Sequence, residues 1–314
     1  MEKKQKPSNR SSRLDRQNVM DYETMMERLN ALAEQYPFLS VTYLGESVMG
    51  RGIPLLSLGE GKKTVLYVGA HHGMEWVTSW ILLRMIREYC RAYESGETVC
   101  GCNVRVLFET RTLCVVPMLN PDGVQYQIHG APKDHIFYDR VRSMNGGSED
   151  FSRWQANARG VDLNHNYNRG FAEYKRIEAE QGIWGGAPTR YSGECPESEP
   201  ETGALCNYIR YREDLKAVVS FHSQGEEIYY TTQGKTLPES EPMARAMARM
   251  CGYQLSAPEG MASFGGLTDW CIGELSLPCF TVECGKGQNP LPTSDFFLIY
   301  TRLRALLFSA PFLI

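Results

Sequence analysis

The sequence has no run approaching the ~18–20 apolar residues of a simple membrane span. Its most apolar stretch, Trp76–Ile86, is broken by Thr78, Ser79 and Arg84. No apolar segment follows the basic residues near the N-terminus, so no secretory signal is expected and the expected location is the cytoplasm. Charge is also lacking: 33 Lys and Arg stand against 37 Asp and Glu, a net −4, which speaks against a general nucleic-acid binder. Histidines are scarce, at six. Cysteines are not, at ten, but Cys100-Gly101-Cys102 has no second Cys or His pair at zinc spacing. With no export signal, the ten read as free thiols, several of them in apolar runs. Internal repeats, low-complexity tracts and Pro/Ser-rich linkers are absent too, so nothing divides the chain.

What is present is an ordinary globular composition: 314 residues, 42% hydrophobic and 22% charged. A chain of this length buries about three-quarters of its unfolded surface and needs no disulfide staples. Residues 1–16 carry Lys3, Lys4, Lys6, Arg10, Arg13 and Arg16 against only Glu2 and Asp15. Residues 1–18 therefore read as a disordered basic arm, and 19–314 as a single domain.

Helical spacing of Met25, Leu29, Leu32 and Tyr36 predicts a first helix over Asp21–Tyr36, stopped by Pro37. Val41–Tyr43 and Pro54–Leu58 read as a hairpin, and Thr64–Val68 as a central strand buried on both faces. A helix over Trp76–Tyr89 follows, then strands over Val104–Phe108 and Thr112–Pro117. Asn120-Pro121-Asp122-Gly123 is a turn signature. From Gly130 to Pro196 the pattern is weak, as expected of irregular functional chain. Beyond it come a helix over Glu199–Arg212 with Ser198 as a possible cap, strands Ala217–Phe221 and Ile228–Thr232, and helices Pro242–Cys251 and Gly266–Leu275. Strand Pro278–Glu283 and a last helix from Ser294 complete the pattern. Strands alternating with helices predict an α/β sandwich on a largely parallel or mixed sheet.

Open α/β sheets build their sites where strands end. His72 and Glu75 follow the strand Thr64–Val68 in Gly69-Ala70-His71-His72-Gly73-Met74-Glu75-Trp76, and His222 ends Ala217–Phe221. Two imidazoles and one carboxylate, with a position left to water, make a catalytic zinc set. Glu283 leaves the strand Phe280-Thr281-Val282 into Cys284-Gly285-Lys286-Gly287, where a carboxylate can act as general base.

In this order the marks resemble the zinc carboxypeptidase family over nearly the whole chain. The series is Gly45-x₄-Gly50-Arg51, His72-x-x-Glu75-Trp76, Asn120-Pro121-Asp122-Gly123, Gly160-Val161-Asp162-Leu163-Asn164, His222-Ser223, Gly265-Gly266-x-x-Asp269-Trp270 and Thr281-Val282-Glu283. The resemblance implies a three-layer α/β/α sandwich around a mixed, about eight-stranded sheet. It also implies one Zn2+ per chain held by His72, Glu75 and His222, with Glu283 as catalytic base.

Departures from the family bear on substrate. Asn164-His165 stands where classical members have Asn-Arg, and an imidazole lacks the bidentate fork that grips a terminal carboxylate. Gln155 follows Trp154 where they carry an oxyanion-binding Arg, leaving Gln155, Arg153 or Arg159 for that role. Met74 and Met261 replace a further Arg and a Tyr. The stretches His222–Tyr229, Glu283–Pro292 and Gly160–Asn166 look like the γ-D-glutamyl-L-diamino-acid peptidase branch, which cuts bacterial peptidoglycan stem peptides. That resemblance implies a muropeptide stem as substrate, with Gln155, Asn164, His165 and Lys286 as candidate contacts. The alternatives are an ordinary metallocarboxypeptidase, an amidase of small acylated amino acids, and a peptide-binding module of the same fold without turnover.

Overall fold

A computed structural model of the chain describes residues 19–258, 260 and 264–314. The expected basic arm and Met261 lie outside the described residues. Helix α1 (Tyr22–Gln35) starts where the Asp21 side chain accepts from the Thr24 amide at 2.8 Å, and it buries Met25, Leu29 and Leu32. Strands β1 (Ser40–Glu46) and β2 (Gly52–Leu58) form the expected antiparallel hairpin. Strand β3 (Thr64–Gly69) is buried at every position and lies between two parallel neighbours. Val65 and Tyr67 enter the core on one face of the sheet, and Leu66 and Val68 the core on the other, so two apolar layers follow from one alternating strand.

Helix α2 (Val77–Ser95) is followed by the two-residue strands β4 (Thr98–Val99) and β5 (Cys102–Asn103). Val104–Phe108 is not a strand: it belongs to helix α3 (Val104–Thr110). Asn103 caps it, accepting from the Arg105 and Val106 amides at 3.0 and 3.3 Å, and only Val104, Leu107 and Phe108 are buried, at helical spacing. After β6 (Thr112–Val116), Asn120-Pro121-Asp122-Gly123 opens helix α4 (Pro121–His129) instead of closing a turn. Asn120 accepts from the Gly123 amide at 2.8 Å, and Pro121 occupies the first helical turn, where a missing N–H costs nothing.

The segment expected to be irregular contains helices α5 (Tyr138–Met144) and α6 (Phe171–Glu180) and a short 3₁₀ turn at Leu163–His165. Its remainder is fastened by a cluster of Tyr126, Phe151 and Trp154 and by buried Asn157 and Asn166. Helix α7 (Pro200–Tyr211) is preceded by Glu199, and Ser198 does not cap it; the Ser198 hydroxyl donates to the Glu199 side chain at 2.8 Å. Strands β7 (Leu215–His222) and β8 (Glu227–Tyr229), helix α8 (Ser240–Cys251), strand β9 (Gln254–Ser256), helix α9 (Leu267–Gly273), strand β10 (Cys279–Glu283) and helix α10 (Phe296–Ser309) complete the chain.

Eight strands form one mixed sheet in the order β1-β2-β6-β3-β7-β10-β8-β9, with helices on its faces. The interior of this sheet, β6-β3-β7-β10, is parallel. Glu283 pairs with His222 in the β10–β7 register, and Gly69 with Phe221 in the β3–β7 register. Three strands thus end side by side, and that edge carries the candidate site.

All ten cysteines are free, seven of them buried. The helical stretch Thr293–Leu313 corrects the expectation about apolar runs: by length and composition alone it is apolar enough to cross a membrane, with half of the qualifying window buried. Within it Leu303, Leu306, Leu307 and Phe308 are fully enclosed in the core, and the Leu307 carbonyl accepts from the Tyr67 hydroxyl at 3.0 Å.

Candidate active site

The link from β3 to α2 aims two side chains inward. Its backbone is tied to the next strand's exit, where Leu119 and Asn120 amides donate to the Gly69 and Ala70 carbonyls at 3.0 Å. Gly73 donates to the Gln155 carbonyl at 2.8 Å. At that crossing a Cβ would come within 2.6 Å of the Gly123 carbonyl carbon and 2.8 Å of the Trp154 oxygen. Only glycine permits so close an approach. The one-turn 3₁₀ helix Gly73–Glu75 then carries Glu75 back beneath His72.

His72 Nδ1 lies 2.9 Å from Glu75 Oε1, and His222 Nδ1 lies 3.1 Å from Glu75 Oε2. Ligand atoms from His72, Glu75 and His222 all fall within 4.8 Å of one another. Zinc bonds of ~2.0–2.2 Å to nitrogen and carboxylate oxygen suit separations of this size, so the donor set fits zinc in type and spacing. His72 Nε2 is 3.1 Å from Asp162 Oδ1. With the proton on Nε2 donated to Asp162, the Nδ1 lone pair faces the other two ligands. Asp162 is itself fixed, its Oδ2 accepting from the Arg190 amide at 3.0 Å.

Electrostatics separates the two carboxylates. Burial opposes the charged form of Glu75, yet the facing His72 and His222 hold its pKa at about 2. Burial and the nearby Glu75 charge push Glu283 well above the usual carboxylate range. His72, although buried, is raised well above the ordinary histidine value by Glu75 and Asp162, so a metal entering here displaces a proton. His71 takes no part in the ligand set: burial lowers its pKa well below that value, and its ring stacks on His222 at 5.0 Å.

An open cleft of about 600 Å3 is lined by Glu75, Glu283, Gln155, Arg153, Ser223 and Asn289 among others. It shares Tyr229 and Glu283 with an inner chamber of about 70 Å3 that also has Asn164, Thr268, Asp269 and Thr281 on its wall. A larger cavity of about 690 Å3 lies between α1, α2 and the start of α10 and holds none of the predicted site residues. The structure therefore brings together His72, Glu75, His222, Glu283, Gln155 and Asn164. The Gln155 Oε1 accepts from the Thr189 hydroxyl, which leaves its amide N–H groups for other partners. His165 lines neither cavity; its ring stacks on Tyr174 at 4.1 Å and its Nδ1 lies 2.9 Å from the Phe264 carbonyl. Arg159 sits 3.7 Å from Glu199 and Lys286 3.2 Å from Glu226, both off the cleft wall.

Three residues gain roles that sequence reasoning missed. Asp162 orients His72. The Ser223 amide donates to Glu75 Oε2 at 3.2 Å, and Asn289 Nδ2 donates to Glu75 Oε1 at 3.4 Å. Ser223 and Asn289 are joined by a hydroxyl–amide bond of 2.8 Å. All three stand inside the motifs read above, but spacing alone does not show which of them turns inward.

A family model described as zinc carboxypeptidase matches residues 25–302. The chain belongs to the zinc carboxypeptidase family. It is accordingly a zinc metallopeptidase, with His72, Glu75 and His222 as its possible metal site. Among its relatives is gamma-D-glutamyl-L-diamino acid endopeptidase 1 of Lysinibacillus sphaericus, 36% identical over 90% of this chain and 70% of the relative. An uncharacterised Bacillus subtilis protein is 30% identical over 95% of this chain and 79% of its own length. The fold matches that of bovine thrombin-activatable fibrinolysis inhibitor, solved with a tick carboxypeptidase inhibitor, at a TM-score of 0.71. That match has 20% identity and covers 94% of this chain and 97% of the other.

Proposed function

We propose that this zinc peptidase hydrolyses the γ-D-glutamyl–diamino-acid bond of peptidoglycan stem peptides. The observation that carries the chemistry is the β10–β7 register, which sets Glu283 next to His222 and beside, but not within, the two-imidazole, one-carboxylate set. The substrate follows from the similarity to the Lysinibacillus endopeptidase. It is supported by His165, an imidazole turned from the cleft where classical members carry the carboxylate-gripping arginine, so ordinary C-terminal carboxylates lack their usual anchor.

In this reading His72, Glu75 and His222 hold the metal, and Asp162 keeps the His72 lone pair turned toward it. A zinc ion there supplies Lewis acidity toward the scissile carbonyl and makes water a competent nucleophile near neutral pH. Glu283 accepts the proton of the attacking water and delivers it to the departing amine, from its place in register with His222 at the strand ends. The Gln155 amide N–H donates to the developing oxyanion, since its oxygen is already engaged by Thr189. Asn164, on the inner chamber wall, meets the leaving diamino acid.

The test uses two stem peptides that differ only in whether D-Glu is linked through its γ- or α-carboxyl. The γ-linked peptide is expected to be cut, with activity abolished by a chelator and restored by zinc. Cleavage of the α-linked peptide alone would overturn the substrate assignment, and chelator-resistant cleavage would overturn the mechanism.

A further inference from the structure

Two cavities that share Tyr229 and Glu283 border this site. The inner chamber, at about 70 Å3, is a small pocket, whereas the outer cleft of about 600 Å3 is open. Of the two, only the cleft has room for a peptide chain. Glu283 and Tyr229 lie on the boundary between the two.

Arg153 is the one cation among the residues lining that cleft. It is exposed and makes no ion pair with any described residue. Its Nη1 donates to the Asn289 carbonyl at 3.0 Å, and the Asn289 side chain in turn reaches Glu75 Oε1 at 3.4 Å. A single residue thus separates the guanidinium from the metal ligand set. With its amide oxygen facing the guanidinium, Gln288 accepts from Nη2 at 2.8 Å and from Nη1 at 3.2 Å. Those contacts occupy Nη1 and the inner half of Nη2. The remaining edge, made of Nε–H and the outer Nη2–H, bonds to no described residue. Two parallel N–H groups on one planar edge match a carboxylate.

A γ-linked D-glutamyl residue carries such a carboxylate. Its free α-carboxyl is four carbon–carbon bonds beyond the scissile carbonyl carbon, about 5 Å away when extended at ~1.5 Å per bond. An α-linked D-glutamyl residue presents its γ-carboxylate at the same four-bond reach but carries its acylamino branch beside the scissile carbonyl. A cation here therefore reads the carboxylate itself and not the linkage. We propose that Arg153 is a specificity-determining residue whose free edge receives the α-carboxylate of the γ-linked D-glutamate on the acyl side of the cut. This rests on the γ-D-glutamyl reading above and adds to it the group that is recognised.

The experiment compares the zinc-loaded full chain with Arg153→Met and Arg153→Lys on two γ-linked stems, one with the D-Glu α-carboxylate and one with the α-carboxamide. The unmodified protein is expected to prefer the carboxylate by about 10–100-fold in kcat/KM, carried mainly by KM, the range of a charge-assisted pair. In Arg153→Met that ratio is expected to fall to near one, and in Arg153→Lys to recover partly. An equal loss on both stems would show that the side chain only holds Gln288 and Asn289 in place, and would overturn the proposal. So would an unchanged ratio. Failure of the unmodified protein to cut either stem, with α-linked peptides still hydrolysed, would instead bring down the substrate reading itself.

Discussion

Replacing Asp162 by Asn keeps the shape of a buried side chain and removes its charge. The aspartate accepts from His72 Nε2 at 3.1 Å through one oxygen and from the Arg190 amide at 3.0 Å through the other. An Asn cannot satisfy both. If its oxygen faces His72, its NH2 opposes the Arg190 N–H, donor against donor. If its NH2 faces His72, the ring must carry its proton on Nδ1, where the metal is to bind. Either choice leaves a buried polar group unpaired, at about 1–3 kcal/mol. That agrees with the ~10–100-fold loss of metal affinity usual when the partner of a ligating histidine is removed.

The pH dependence has a definite sign. Asp162 and Glu75 raise the His72 pKa, so protons compete with zinc as pH falls through that raised value. In Asp162→Asn one of these carboxylates is gone and proton competition sets in at lower pH. The penalty is therefore expected to be largest at high pH and to narrow on acidification. Competition titrations against a chromophoric chelator at several pH values read this directly, with far-UV circular dichroism confirming the fold. A zinc affinity within twofold of the unmodified protein at pH 8 would refute the role given to Asp162.

Glu283→Gln is expected to retain zinc while turnover falls by about 10²–10⁴; near-normal turnover would remove Glu283 as base. In the metal-free chain, burial and the Glu75 charge raise Glu283 above the ordinary carboxylate range. A carboxyl NMR titration of the zinc-free protein is therefore expected to show a carboxyl titrating above that range that Glu283→Gln removes. A Glu283 signal titrating at ordinary carboxylate pH would contradict that placement. Gly73→Ala forces a methyl to within 2.8 Å of the Trp154 carbonyl oxygen and against the Gly123 backbone. A loss of about 1–3 kcal/mol or more is expected from this overpacking in denaturant unfolding, together with loss of activity, because the same crossing places His72 and Glu75.

The sheet was legible because its inner strands are continuous apolar runs. Thr64–Val68 and Pro278–Glu283 can hardly be anything but buried strands, and their ends point to His72 and Glu283 without further information. Val104–Phe108 misled because a short β-branched run is ambiguous by periodicity, and the deciding signal was the single cap Asn103. Asn120–Gly123 misled for a related reason: the residues that make turns also open helices. The metal set was legible from strand ends. The residues around it were not, because Asp162, Ser223 and Asn289 act through contacts between segments 66 to 214 residues apart, such as the 214 between Asn289 and Glu75. His165 shows the reverse limit: its position in a motif is plain, but only packing against Tyr174 reveals that its ring is turned from the cleft.

Hydrolysis is expected at the γ-D-glutamyl linkage inside a stem peptide. Mass analysis of the products from L-Ala-γ-D-Glu-diamino acid-D-Ala tests it most directly, because the two candidate cuts give different fragments. The expected products are L-Ala-D-Glu and diamino acid-D-Ala, formed in equal amounts and only with zinc present. Release of free D-Ala, leaving an intact tripeptide, would contradict it.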